Sequence, residues 1–269
     1  MGRIGHTFKK LKNRSRTALI PFIVAGDPDL DKTEALLFEM AENGADMIEL
    51  GVPFSEPIAD GPIIRAAHQR ALQNGIVLKE ALCMIERLKG RIPPLILMTY
   101  LTPVLEYGLR GFAKDCKENG IDGVIIPDLT SEEAGGWIKE ARKEKLDTIF
   151  LLNPNSPLER IRWVSRSSRG FIYYAAVAGV TGMRKALPKN LEQAVRGITK
   201  ETQKPVVVGF GISTPEQVRE VSRFADGVIV GSAIVKIVEE NLHRSDLIRR
   251  VGRFVSFLVR ETRMQQKGA

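Results

Sequence analysis

Glu49-Leu50-Gly51-Val52-Pro53-Phe54-Ser55-Glu56-Pro57-Ile58-Ala59-Asp60-Gly61-Pro62 follows directly on the apolar pair Met47-Ile48. The run from Met47 to Leu50 reads as a buried strand that closes on a carboxylate. Burying a Glu there is costly unless it is paired, protonated or facing a wet cavity. The loop that follows carries Pro53, Pro57 and Pro62 with Gly51 and Gly61, and is too stiff for a mere connector. It returns a second carboxylate, Asp60. Two acids in different environments at one strand end suggest an acid–base site. The plainer alternative is a stiff loop with solvated acids; a Glu closing an apolar strand weighs against it.

Working outward, strands are expected at Ala18 to Val24, Met47 to Leu50, Leu95 to Met98, Gly123 to Ile126, Thr148 to Leu152, Phe171 to Tyr174, Val206 to Val208 and Gly227 to Val230. Helical spacing of apolar residues predicts helices at Asp31 to Asn43, across Ile63 to Leu88, and at Gly111 to Asn119, Glu132 to Glu144, Leu158 to Ser165, Leu191 to Thr202 and Pro215 to Arg223. Another starts at Ser232, and a last one runs from Ser245 to about Met264. Ile4, Phe8 and Leu11 form a short amphipathic segment expected to cover one end of the core. Strand–helix units without a linker, with strands apolar on both faces, imply a closed parallel sheet. The expected fold is a single (β/α)8 TIM-barrel domain over residues 1–269, with extra N-terminal and loop helices.

The 269 residues are 43% hydrophobic and 27% charged, the composition of a globular protein with a sizeable core. Cys83 and Cys116 lie in separate helical patterns and read as thiols of a reducing, cytoplasmic compartment. Basic residues from Lys9 to Arg16 followed by the apolar Ala18 to Ala25 mimic a secretory signal. However, Pro21 interrupts the run and Gly26-Asp27-Pro28 follows it, so a first strand is expected, with no membrane span. The net charge of +8 is concentrated near the two ends. No reading motif accompanies it, so a nucleic-acid partner is not expected.

In a TIM barrel the active groups sit where strands end. Glu49, Asp60 and Asp128 satisfy that rule, although Asp128 has an equal alternative, ordering its own loop. Asp46, Asp122 and Asp226 precede their strands and are expected to be structural. Gly179-Val180-Thr181-Gly182, Gly209-Phe210-Gly211 and Gly231-Ser232 fall at successive strand ends, the last opening a helix. Glycine N–H groups and a helix N-terminus suit a phosphate; tight turns are the alternative. Phe22, Ile125, Leu151 and Phe210 are pocket walls or plain core. His6, His68 and His243 are scattered, no metal-ligand spacing occurs, and no Lys closes a strand. What remains is proton transfer by carboxylates on a phosphorylated substrate.

Pro21-Phe22-Ile23-Val24-Ala25-Gly26-Asp27-Pro28, Glu49 to Pro62, Gly179 to Gly182, Gly209 to Ser213 and Gly231-Ser232-Ala233-Ile234-Val235 closely resemble the tryptophan synthase alpha subunit family. The resemblance runs along essentially the whole chain. It implies a TIM barrel that cleaves indole-3-glycerol phosphate to indole and glyceraldehyde 3-phosphate without metal or cofactor. It also implies a beta-subunit partner in an alpha2beta2 heterotetramer, with pyridoxal phosphate only in the partner. Glu49 would then be the general acid–base, Asp60 the acceptor of the indole N–H, and Tyr173 the family's active-site tyrosine. Thr181, Gly182, Gly211, Gly231 and Ser232 would serve the phosphate. Phe22, Tyr100, Ile125, Leu151 and Phe210 would face the indole, and Asp128 would touch the loops around the substrate.

This chain departs from the family where Glu56 stands for the usual Asp and Leu101-Thr102 for the usual Tyr-Asn. Ala176-Val177-Ala178 replaces a more polar run. Glu56, Pro57 and Thr102 are expected to face the partner, so the departures bear on coupling more than on chemistry. The alternatives are a stand-alone indole-releasing lyase, a non-catalytic subunit that activates a beta partner, and a barrel acting on a different phosphosugar.

Overall fold

The computed structural model describes residues 1–176 and 186–263. Among these, β1 (Ala18–Val24), β2 (Ile48–Gly51), β3 (Leu95–Met98), β4 (Gly123–Ile125), β5 (Asp147–Ile149), β6 (Leu151–Leu152), β7 (Ile172–Ala175), β8 (Val206–Gly209) and β9 (Gly227–Val230) are parallel throughout. Their spatial order is β5-β4-β3-β2-β1-β9-β8-β7-β6. The two edges, β5 and β6, belong to one short segment, so the sheet comes round on itself as a TIM barrel. The fifth strand, expected as one run, is broken at Phe150. Its first half pairs with β4 and its second half with β7, while the Phe150 carbonyl accepts the Tyr173 N–H at 3.1 Å. The stagger of strands around a barrel shifts the ladder from one neighbour to the other at that point.

The helices are α1 (Arg3–Lys12), α2 (Leu30–Glu42), α3 (Pro62–Gln73), α4 (Leu78–Glu86), α5 (Leu101–Tyr107), α6 (Leu109–Glu118), α7 (Gly135–Lys143), α8 (Leu158–Ser167), α9 (Leu191–Glu201), α10 (Pro215–Ser222), α11 (Ser232–Glu240) and α12 (Leu247–Arg263). The sequence pattern did not separate α5. Its Pro103 suggests a loop, but proline is tolerated in a first helical turn. The Asp128 carboxylate also accepts the Leu101 N–H, at 3.0 and 3.2 Å, where this helix begins.

Alternation along each strand sorts the apolar residues into two cores. Ala18, Ile20, Phe22, Met47, Ile96, Met98, Ile125, Ile149, Tyr173, Val207 and Ile229 fill the barrel interior. Leu19, Ile48, Leu50, Leu95, Leu97, Val124, Ile172, Val206, Val208 and Val228 point outward under the helices. Ile4, Phe8 and Leu11 of α1 join the interior set, with Phe8 edge-on to Phe171 at 5.9 Å, so α1 plugs the end where strands begin. At that end Asp46, Asp122 and Asp226 accept the N–H groups of Leu19, Leu95 and Val206 at 3.0, 3.1 and 3.0 Å. Their own N–H groups return bonds to the carbonyls of the same three residues. Each aspartate therefore staples two adjacent strands, as expected of structural acids.

Candidate active site

Glu49 lies in β2 between Phe22 of β1 and Ile96 of β3. Met47 below it faces the interior, and strand alternation turns Glu49 the same way, near the end where strands finish. The carboxyl is 1% exposed, and its Oε2 has no hydrogen-bond partner among the described residues. Burial, reinforced by the charge of Asp60, pushes its pKa up to about 8. Glu49 is thus a neutral acid near pH 7, able to give a proton and take one back.

Asp60 reaches the same place from the loop after β2. A turn closes the loop, with the Asp60 N–H donating to the Pro57 carbonyl at 3.0 Å, and Pro62 then starts α3. The Asp60 carboxylate is also 1% exposed. Its Oδ2 accepts the Tyr100 hydroxyl at 2.7 Å and lies 3.2 Å from His68 Nε2, while Oδ1 has no partner among the described residues. Both carboxyls therefore hold one buried oxygen without a partner among the described residues.

Glu49, Asp60, Phe22, Tyr173, Phe210, Gly211, Gly231 and Ser232 line one cavity of about 400 Å³ including its mouth. Ile64, Met98, Ile212 and Ile229 complete it; the sequence did not single them out, because strand register decides whether Met98 and Ile229 reach the top layer, and the folded helix and loop place Ile64 of α3 and Ile212 after β8. Tyr100 and Ile125 are buried but do not line the cavity: Tyr100 stands behind Asp60, and Ile125 fills the barrel interior. Leu151 packs against that interior, and Asp128 is engaged with the α5 N-terminus. Thr181 and Gly182 lie outside the described residues, as do Val177 and Ala178. Glu56 and Thr102 are exposed, whereas Pro57 is buried and its neighbour Ile58, 63% exposed, presents the outward surface. His68, noted in sequence only as scattered, is buried beside Asp60. Ile64, Ala67, His68 and Ala71 share the inward face of α3, and that spacing was the available signal.

Glycines shape the rim in two ways. A Cβ on Gly209 would fall 2.2 Å from the Tyr173 hydroxyl, and one on Gly51 2.8 Å from Phe22, so these positions make room for aromatic rings. Phe210 and Gly211 have φ of +73° and +82°. A left-handed phenylalanine is a strained outlier of the kind found at functional sites. It sets the ring edge-on to Tyr173 at 5.8 Å. Gly231 caps α11, whose first N–H groups, on Ser232 and Ala233, find no acceptor among the described residues. A wider hollow lies at the opposite end, bordered by Arg3, Lys9, Lys12, Arg16 and Lys204, remote from Glu49.

A (β/α)8 barrel with two buried carboxylates at the mouth where its strands end is the architecture of an acid–base barrel enzyme. Residues 8–260 match the family model of the tryptophan synthase alpha chain. The tryptophan synthase alpha chain of Geobacter sulfurreducens is 50% identical over 259 residues, covering 96% of this chain and 98% of that one. That of Thermoanaerobacter pseudethanolicus is 40% identical, with 96% and 98% covered. A chain of Mycobacterium tuberculosis tryptophan synthase superposes with a TM-score of 0.91 at 35% identity over 98% of this chain and 99% of that one. The alpha subunit of Legionella pneumophila gives 0.89 at 36%, covering 97% and 98%. The chain belongs to the tryptophan synthase alpha chain family, whose subunit cleaves indole-3-glycerol phosphate to indole and glyceraldehyde 3-phosphate in tryptophan biosynthesis.

Proposed function

We propose that Glu49 and Asp60 carry out this cleavage as an acid–base pair. Glu49, neutral near pH 7, protonates the indole ring at C3. The charge that builds on the ring is met by Asp60, whose free Oδ1 accepts the indole N–H. The ring carbon–glycerol carbon bond then breaks, the hydroxyl proton leaves to the Glu49 carboxylate, and an aldehyde is released. The proton lost from the hydroxyl replaces the one given to C3, so Glu49 ends as it began. Tyr173, whose hydroxyl is held neutral first by burial and then by the neighbouring acids, borders the same cavity.

The supporting observation is the pair of unpartnered buried oxygens, Glu49 Oε2 and Asp60 Oδ1, in residues that line one cavity. Phe22, Ile64, Met98, Phe210 and Ile229 supply its apolar walls. Gly211, Gly231, Ser232 and the α11 N-terminus are assigned to the phosphate, with Thr181 and Gly182 carried by family resemblance alone. We also assign this chain one catalytic domain, residues 1–269, needing no cofactor of its own. Its proposed setting is a cytoplasmic alpha2beta2 heterotetramer, with pyridoxal phosphate in the beta partner. Among the described residues no helix is long and apolar enough to cross a membrane.

Indole release from indole-3-glycerol phosphate, with and without a beta subunit, tests the reading. Turnover should be detectable for the chain alone and should fall when inorganic phosphate competes. Indifference to phosphate, together with equal affinity for the dephosphorylated substrate, would discard the phosphate site.

A further inference from the structure

Asp60 lines the cavity with its Oδ2 hydrogen-bonded and its Oδ1 without a partner among the described residues, and that orientation needs a cause. Tyr100 alone gives Oδ2 a single donor, about which a carboxylate can still pivot. The second group at Oδ2 is His68. We propose that His68 is a positioning residue that locks the Asp60 carboxylate so that Oδ1 faces the substrate, an inference resting on the lyase reading above.

The ring's tautomer follows from its other nitrogen. The Phe54 N–H donates to His68 Nδ1 at 3.3 Å, so that nitrogen carries a lone pair. In the neutral imidazole the proton then sits on Nε2, directed at Asp60 Oδ2, 3.2 Å away. Moving it to Nδ1 would set two donors against each other at Phe54 and leave Oδ2 facing a lone pair.

The ring also ties the loop's two ends together. Phe54 stands near the start of the loop and Asp60 closes it. Phe54 stacks on Tyr100, with centroids 5.2 Å apart, and the Tyr100 hydroxyl accepts the Ala59 N–H at 3.2 Å. His68 thus closes a hydrogen-bonded circuit that holds the loop and its carboxylate as one body. Its own helix is anchored: Arg70 forks onto Asp27 at 2.8 and 3.0 Å and reaches Glu239 at 2.9 Å. α3 is thereby held against the end of β1 and against α11. A supporting group on a pinned helix is what keeps a reacting carboxylate within the narrow tolerance catalysis requires.

Three substitutions test the assignment in steady-state indole release by the full chain, with thermal melts alongside. His68→Gln places an amide N–H near the Nε2 position. His68→Asn reaches only the Nδ1 position and keeps the contact with Phe54. His68→Leu keeps neither. We expect His68→Leu and His68→Asn to lower kcat by roughly 10- to 100-fold, the scale of a misplaced catalytic group. KM should stay within about threefold, because phosphate and ring contacts dominate ground-state binding. His68→Gln should retain kcat within about fivefold. A His68→Leu variant within threefold of wild type, an effect confined to KM, or Asn serving as well as Gln would overturn the role of His68. If His68→Leu does not fold, the Gln and Asn pair still decides. A wild-type chain that releases no indole removes the lyase reading itself, a result visible before any variant is compared.

Discussion

Glu49 is held neutral at a cost, and that cost has a sign that can be measured. Its folded pKa is about 8 against an ordinary 4.5. Between those values the folded chain keeps a proton that the unfolded chain has lost, so stability falls as pH rises through that window and levels off above it. Glu49→Gln has nothing to ionise. Its melting temperature should match wild type near pH 4.5 and exceed it by roughly ten degrees at pH 8.5, since a rise from 4.5 to about 8 is worth on the order of 4 kcal/mol, at about 2–4 °C per kcal/mol. An equal gap at both pH values would contradict a raised pKa. In the lyase assay the same variant should bind substrate yet lose about 10²–10⁴-fold in turnover, the usual contribution of a positioned proton donor. Activity within a few-fold of wild type would refute the assignment. Glu49 and Asp60 were visible in sequence because charge is out of place beside an apolar strand. His68 was not, because a histidine on one face of a helix carries no sign of what lies opposite until the loop before it is folded.

Strand pairing explains both what the pattern gave away and what it hid. Strands apolar on both faces announced a parallel barrel, yet their hydrophobicity does not say which face looks inward. Register does, and it puts Met98 and Ile229 in the cavity while Ile125 and Leu151 stay out of it. The break at Phe150 was equally hidden, since no residue there marks a change of neighbour. Register also gives Gly209 of β8 its reason. It follows Val208, the partner of Tyr174, and a Cβ there would overlap the Tyr173 hydroxyl. Gly209→Ala should cost roughly 1–3 kcal/mol, as overpacking does, and should lower turnover by displacing Tyr173. Adding Tyr173→Ala clears the hydroxyl together with the ring carbons Cζ and Cε1, which a Cβ would meet at 2.5 and 2.7 Å, so the double variant should lose less than the sum of the two single changes. Strictly additive melts would show that the two positions do not meet. At the opposite end, Asp122→Ala strips the Leu95 N–H of its acceptor. It should destabilise by about 1–3 kcal/mol while kcat stays unchanged. A drop in kcat with an intact melt would contradict a purely structural aspartate.

The barrel divides its labour between its ends: aspartate staples and the α1 plug where strands begin, buried acids and a glycine-shaped rim where they finish. The outer surface past β2 and β3 carries Ile58, Leu105 and Tyr107, which are 63%, 56% and 37% exposed. We propose that this side, where Glu56 and Thr102 are also exposed, is the one that faces a partner. In the family this chain belongs to, that partner is expected to be the beta subunit. Glu56 and Thr102 are both exposed and, with Leu101, are the expected departures from the family pattern on this side. Glu56 extends its carboxylate one methylene beyond an aspartate, and Thr102 offers a hydroxyl where an amide is usual. Each change can lengthen or lose a hydrogen bond to a beta subunit shaped for the usual pair, at about 0.5–1.5 kcal/mol apiece. Two such losses amount to roughly ten- to a hundred-fold in affinity, since about 1.4 kcal/mol is a factor of ten. Ile58 and Leu105 themselves are untouched by these changes, so association should weaken rather than vanish. Activation should fall with it, on the expectation carried by the family resemblance that the partner helps order the loops over the active site. Titration against a beta subunit from another bacterial pair, scored by affinity and by enhancement of indole release, is the measurement. The restoring double variant Glu56→Asp with Thr102→Asn should recover most of the lost affinity. A wild-type chain that binds the foreign subunit as tightly as its cognate alpha chain, with equal activation, would show that these two positions do not set the coupling.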